Sequence, residues 1–150
     1  LYSKVSIDNI YFQSTNGGIT IGGGEPFVHI EALTQFAALC PDSWTLWAET
    51  SLYVDPSKVT LAASVFDHFL VDIKTTNADV YKAYTSKELT VAIDNLLLLK
   101  DLVGADRITV RIPQIPGFVD DQQQLSSADR ISSLGFSSID LFTYRTNINK

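Results

Sequence analysis

The sequence contains no methionine, a single cysteine, Cys40, and only two histidines, His29 and His68. One thiol closes no disulfide and supplies no cysteine knuckle, so neither kind of staple can be built from this chain alone. Total absence of methionine is unusual at this length. Basic residues are outnumbered, 11 Lys and Arg against 17 Asp and Glu, and the net charge of -6 repels a phosphate backbone, which argues against a nucleic-acid partner. The longest unbroken aliphatic run, Leu96 to Leu99, is far short of the ~20 residues a membrane span needs, so no membrane partner is expected. No secretory pattern opens the chain at Leu1-Tyr2-Ser3-Lys4, which makes the cytoplasm the expected location.

What is present reads as a globular chain of 150 residues, 45% hydrophobic and 19% charged. A chain of that length forms one domain and buries roughly 68–70% of the surface its unfolded form exposes. Strand and helix signals alternate along it. Ile19-Thr20-Ile21 runs into glycines, and Phe27, Ile30, Leu33, Phe36 and Ala37 follow at helical spacing. Thr45 to Ala48 is a second strand, after which Asp55-Pro56 supplies a helix cap and first-turn proline ahead of Leu61, Ala62, Val65 and Phe66. His68 to Lys74 is a third strand, followed by helical stretches over 77–84 and 87–103 that stop at Gly104. Arg107 to Ile115 is a fourth strand. The helix expected over 120–134 turns Leu125, Ala128, Ile131 and Leu134 inward, and Ile139 to Phe142 is a fifth strand.

Repeated strand-helix units with apolar strands predict an α/β fold, a parallel sheet covered by helices, closed or open. Ligands in such folds sit at the carboxyl ends of the strands. There this chain places Gly22-Gly23-Gly24-Glu25-Pro26, Glu49-Thr50-Ser51, Asp72-Ile73-Lys74, Arg111 and Tyr144-Arg145. The amino ends carry little besides His68 and Arg107, read as solvated strand starts. Each rim group has a plainer alternative. The glycines could merely turn the chain, Glu25 could serve the positive end of a helix dipole, and Asp72 with Lys74, two apart and on one face, could be a structural ion pair. Cys40 reads as an apolar filler and His29 as a surface residue. Neither a G-x-G-x-x-G nor a phosphate-loop Gly-Lys-Ser/Thr follows the first strand, and no Gly-x-Ser-x-Gly elbow frames a serine.

The order GGITIGGGEP, AETS, LVDIKTTN, VRIPQIPGFVDD, LFTYR resembles the radical S-adenosylmethionine (SAM) fold of glycyl-radical-enzyme activating enzymes, typified by pyruvate formate-lyase activating enzyme. Gly23-Gly24-Glu25-Pro26 and Ile115-Pro116-Gly117 are its most specific parts. The resemblance implies a partial (β/α) barrel in which a 4Fe-4S cluster, held by a Cys-x-x-x-Cys-x-x-Cys loop, reductively cleaves SAM. The 5'-deoxyadenosyl radical so made takes a hydrogen from a glycine of a partner enzyme. A flavodoxin or ferredoxin is the implied electron donor. It further implies that Gly23, Gly24 and Glu25 meet the amino end of the methionine moiety, and that Glu49 and Thr50 lie near it. Asp72 and Lys74 are implied at the methionine carboxylate and the site of hydrogen transfer, Arg111 at the cofactor's charged end, and Tyr144 beside the cofactor. On this resemblance the chain is one radical SAM domain, truncated at both ends. Its first strand, cluster loop and closing helix lie outside the sequence, and the 150 residues alone are expected to be inactive.

The chain departs from the family at Gly22, commonly serine, at Tyr81, commonly histidine, and at Ser86, commonly glycine. Phe142-Thr143-Tyr144-Arg145 stands where the family has Leu-Pro-Tyr-His, the histidine lying near adenine. Two other readings are a radical enzyme acting on a small molecule and a barrel scaffold without a cluster.

Overall fold

The structure is a computed structural model and describes residues 1–144. Its centre is a five-stranded parallel sheet with strands in sequential order. The strands are β1 (Gly18–Ile21), β2 (Thr45–Thr50), β3 (His68–Asp72), β4 (Ile108–Gln114) and β5 (Ile139–Thr143). Parallel neighbours need crossovers, and the helices supply them: α3 (Ile30–Ala37), α4 (Pro56–Ala63), α5 (Ala78–Thr85), α6 (Leu89–Val103) and α7 (Asp121–Ser133).

The strands alternate in burial and are not continuously apolar, as the sequence reading had them. Leu46, Ala48, Phe69, Val71, Ile108, Val110 and Ile112 are buried in the core with Ile30, Val59, Ala62, Leu96, Leu99 and Ile131 of the helices. The intervening Trp47, Glu49, His68, Leu70, Asp72, Thr109 and Arg111 share the other face and stay half-buried. Register aligns them in rows across the sheet, with Trp47 beside His68 and Asp72 beside Arg111 beside Asp140. The candidate site residues Glu49, Asp72 and Arg111 are therefore kept off the packed face.

Local chemistry sets the boundaries. Asp55 caps α4, accepting from the Ser57 amide at 2.9 Å, with Pro56 in the first turn. Asp120 and Gln123 form a reciprocal capping box at the start of α7. Gly104 stops α6 at φ 85. The chain after Glu25 first makes a 3-10 turn, Pro26–His29, before α3 begins.

Three further expectations need correction. Leu125 does not face inward; it is 56% exposed, and α7 turns Gln124 and Ser127 in instead. The cause is polar: Gln124 donates to the carbonyls of Ile112 and Phe142 at 2.7 and 3.1 Å, tying α7 to β4 and β5, while the Ser127 hydroxyl takes the Thr76 amide at 3.0 Å. His68 is not a solvated strand start; its ring stacks on Trp47 at 4.5 Å. Arg107 is likewise engaged, its Nε donating to the Asp67 carbonyl at 2.7 Å. Residues before β1, to which the sequence reading assigned no element, form two short helices, α1 (Tyr2–Val5) and α2 (Asn9–Thr15).

Candidate functional site

The glycine turn is shaped by its backbone and fixed by one carboxylate. Gly23 has φ 109, a conformation that a side chain would strain. Behind it, Glu25 Oε1 accepts from the Thr50 hydroxyl at 2.7 Å and the Phe27 amide at 3.3 Å, and Oε2 accepts from the Ser51 amide at 3.0 Å and hydroxyl at 2.7 Å. Both oxygens are thus consumed within the protein, and the turn after β1 is locked to the end of β2. Thr50, buried, accepts the Leu52 amide at 2.9 Å. Leu52 is fully buried at φ 55, a rare backbone state for a bulky residue. Asn95 of α6 holds it there, donating to the Leu52 and Val54 carbonyls, each at 2.8 Å.

The ends of β3, β4 and β5 bring the charges together. Lys74 Nζ donates to Asp72 Oδ2 at 3.0 Å and to the Tyr144 hydroxyl at 2.6 Å. Burial works to lower the Lys74 pKa, but the Tyr144 hydrogen bond and the Asp72 charge outweigh it and hold the ammonium above the ordinary lysine range. Arg111 NH1 pairs with Glu49 Oε1 at 2.8 Å, and its Nε lies 3.4 Å from Asp72 Oδ1 and 3.9 Å from Asp140 Oδ2. At 3.4 Å the charges attract, but Asp72 Oδ1 has no hydrogen bond and is buried.

A cavity of about 350 Å³ joins these groups, lined by Gly23, Gly24, Glu49, Thr50, Ser51, Asp72, Lys74 and Tyr144. Of the nine residues that the resemblance places at the cofactor, seven line it. The other two stand behind its wall: Glu25 against Thr50 and Ser51, and Arg111 against Glu49 and Asp72. Side-chain carbons built on Gly23 and Gly24 meet nothing within 4 Å, so both glycines front open space. Larger cavities of about 800 and 410 Å³ flank the start of α7, but neither is lined by the Asp72–Lys74 pair or by the glycine turn. The smaller cavity is therefore where the candidate chemistry converges. Arg145 lies outside the described residues. Sequence reasoning gave no role to Asp140, Leu52 or Asn95; a left-handed leucine leaves no mark in a sequence, and Asp140 gains meaning only from its register with Arg111.

Comparison with known proteins follows the same line. No family model matches the chain. It is 31% identical over 125 residues to the (2S)-3-sulfopropanediol dehydratase activating enzyme of Klebsiella oxytoca, a match covering 83% of this chain and 39% of that protein. It is 28% identical over 150 residues to the pyruvate formate-lyase 2-activating enzyme of Escherichia coli (strain K12), covering 96% of this chain and 49% of that protein. The curated relatives that it matches are activating enzymes of glycyl-radical enzymes. The five-stranded parallel sheet with its crossover helices is a partial (β/α) barrel. A solved domain of pyruvate-formate lyase-activating enzyme from Bacteroides vulgatus ATCC 8482 superposes with a TM-score of 0.72 at 24% identity, covering 89% of this chain and 84% of that one. At such identity the likeness speaks for the fold alone. The chain spans about half the length, or less, of these curated relatives.

Two family departures acquire structural meaning. Ser86 caps α5 at φ 60, the left-handed state for which glycine is the usual choice. Tyr81 is buried on α5, and burial, then Tyr53, pushes its phenol pKa up.

Proposed function

We propose that this chain carries the SAM-binding rim of an activating enzyme that places a radical on a glycine of a partner glycyl-radical enzyme, for which pyruvate formate-lyase serves as the type. The observation that carries the reading is the convergence of an open glycine turn with Asp72 and Lys74 in one cavity. An amino-acid end of a ligand has a cation and a carboxylate. Lys74 has three N–H donors and spends two, on Asp72 and Tyr144, which leaves one for a carboxylate. Asp72, on the same wall, supplies a negative charge beside the place of the ligand's cation. Gly23 and Gly24 allow the ligand to approach the backbone, and Glu25 keeps that backbone in place from behind. The donor set fits SAM, which when bound and reduced supplies the hydrogen-abstracting fragment.

The residues of this chain do not fit a 4Fe-4S cluster. Such clusters are held by several cysteine thiolates, and Cys40 is the one cysteine. Its Sγ contacts the Phe36 carbonyl at 3.4 Å, packed against the core, and burial pushes the thiol pKa up, away from the thiolate a metal needs. Among the described residues no group of three His, Cys, Asp or Glu is placed to hold a metal ion. The electron donor, a flavodoxin or ferredoxin, and a cytoplasmic location belong to the same proposal. No helix among the described residues is long and apolar enough to cross a membrane.

The test is equilibrium binding of SAM to the complete polypeptide and to its Lys74→Ala variant, together with 5'-deoxyadenosine production. Affinity should fall about tenfold or more in the variant, the size expected when a hydrogen bond to a charged group is lost. Equal affinity in the two proteins removes SAM from this cavity.

A further inference from the structure

A separate cavity of about 410 Å³ lies between the loop that follows β3 and the first turns of α7. Thr76 and Ser127, both buried, close its floor: the Ser127 hydroxyl takes the Thr76 amide at 3.0 Å and the Thr76 hydroxyl at 3.3 Å. Asn77, Gln123 and Arg130 stand in its walls, and none of its seven lining residues is acidic. Arg130 Nη1 donates to the Thr76 carbonyl at 3.1 Å, which fixes the guanidinium and leaves four of its five N–H groups to spend. Among the described residues no carboxylate pairs with it. The two amides have a fixed sense. Asn77 Oδ1 accepts from the amides of Asp79 and Val80, each at 3.1 Å, and Gln123 Oε1 accepts from the Asp120 amide at 3.2 Å. A backbone amide only donates, so the helix caps claim both oxygens and leave both NH₂ groups as donors. One cation and two oriented NH₂ groups call for an acceptor with negative charge.

We propose that this cavity is a second binding site, for a carboxylate. One guanidinium balances one negative charge, and its planar fork matches two carboxylate oxygens. A phosphate dianion would ask for another cation, and the cavity has none. The volume falls within the ~300–1,000 Å³ of ligand pockets and admits an acidic side chain or a small free acid. Thr76 follows Lys74 by two residues, so the site sits on the same rim as the candidate SAM cavity while sharing no lining residue with it. Nothing in it depends on SAM.

The test exchanges chloride for acetate at constant ionic strength and follows the melting temperature of the complete polypeptide, which rises with ligand as ln(1 + [L]/Kd). Asn77→Asp and Gln123→Glu keep the capping oxygens and swap an NH₂ donor for negative charge, so they alter recognition without uncapping a helix. Acetate affinity should fall about tenfold or more in each of them and in Arg130→Gln, the loss expected when a hydrogen bond to a charged group goes. The blocked peptide acetyl-Gly-Asp-Gly-amide, whose sole charge is its side chain, separates the two sources. Binding of the peptide as well as acetate makes the ligand an acidic side chain, and binding of acetate alone makes it a free acid. An acetate response equal in wild type and all three variants, or a larger response to inorganic phosphate, overturns the proposal. Should Arg130→Gln fail to fold, the two acid variants decide it.

Discussion

Glu25 accepts a 2.7 Å hydrogen bond from the hydroxyl of Thr50, a residue 25 positions away on the next strand. Through this bond and those of Ser51, the carboxylate fastens the glycine turn to β2, and its duty is to hold shape. Glu25→Gln replaces an acceptor oxygen with an N–H₂ group that faces donors. The expected cost is about 1–3 kcal/mol of stability, the penalty for leaving buried donors unmet. Urea denaturation of wild type and variant measures it, and an unchanged midpoint would show that the bonds are dispensable.

Gly24→Val should spare the fold and remove the ligand. The added carbons meet no protein atom, since a Cβ there finds nothing within 4 Å, and they enter the cavity itself. Circular dichroism should match wild type while SAM affinity drops by about tenfold or more, as when one charged-group hydrogen bond is blocked. Wild-type affinity would move the ligand elsewhere.

Lys74 should stabilise the protein in a pH-dependent way. Its folded pKa is raised, so the stabilisation is fully present below the ordinary value of 10.5 and is lost as pH rises through the folded value. The difference in melting temperature between wild type and Lys74→Met should therefore stay constant from neutral pH up to about pH 10 and shrink above it. A difference that vanishes between pH 7 and 9 would contradict the raised pKa.

A polypeptide of these 150 residues should be colourless after anaerobic reconstitution with iron and sulfide, because Cys40 is its one thiol. Iron and sulfide assays, set beside those for a longer form carrying a Cys-x-x-x-Cys-x-x-Cys loop, check this. A stoichiometric cluster on the shorter form would refute the ligand count.

The sheet was legible because β-branched and apolar runs end in glycine, aspartate or proline, and the rim groups could be placed once strand ends were known. Three things were not legible. The helices before β1 depend on a distant tryptophan: Phe12 and Tyr2 pack on Trp44 at 4.9 and 6.0 Å between ring centroids, and Asn9 accepts its indole N–H at 2.8 Å. The phase of α7 was misread because apolar spacing favoured Leu125, whereas buried hydrogen bonds chose Gln124 and Ser127. At the site, Arg111 looked free to grip a ligand, since its pairing with Glu49, Asp72 and Asp140 arises from the register of four strands.

The strands lie side by side in the order in which they occur along the chain. During synthesis each new strand therefore meets a partner already made. Loop closure is limited to one crossover at a time, which keeps the entropy of each addition small. The cavity, drawing on β1, β2, β3 and the end of β5, is the exception: its first wall emerges from the ribosome more than a hundred residues before Tyr144 completes the last.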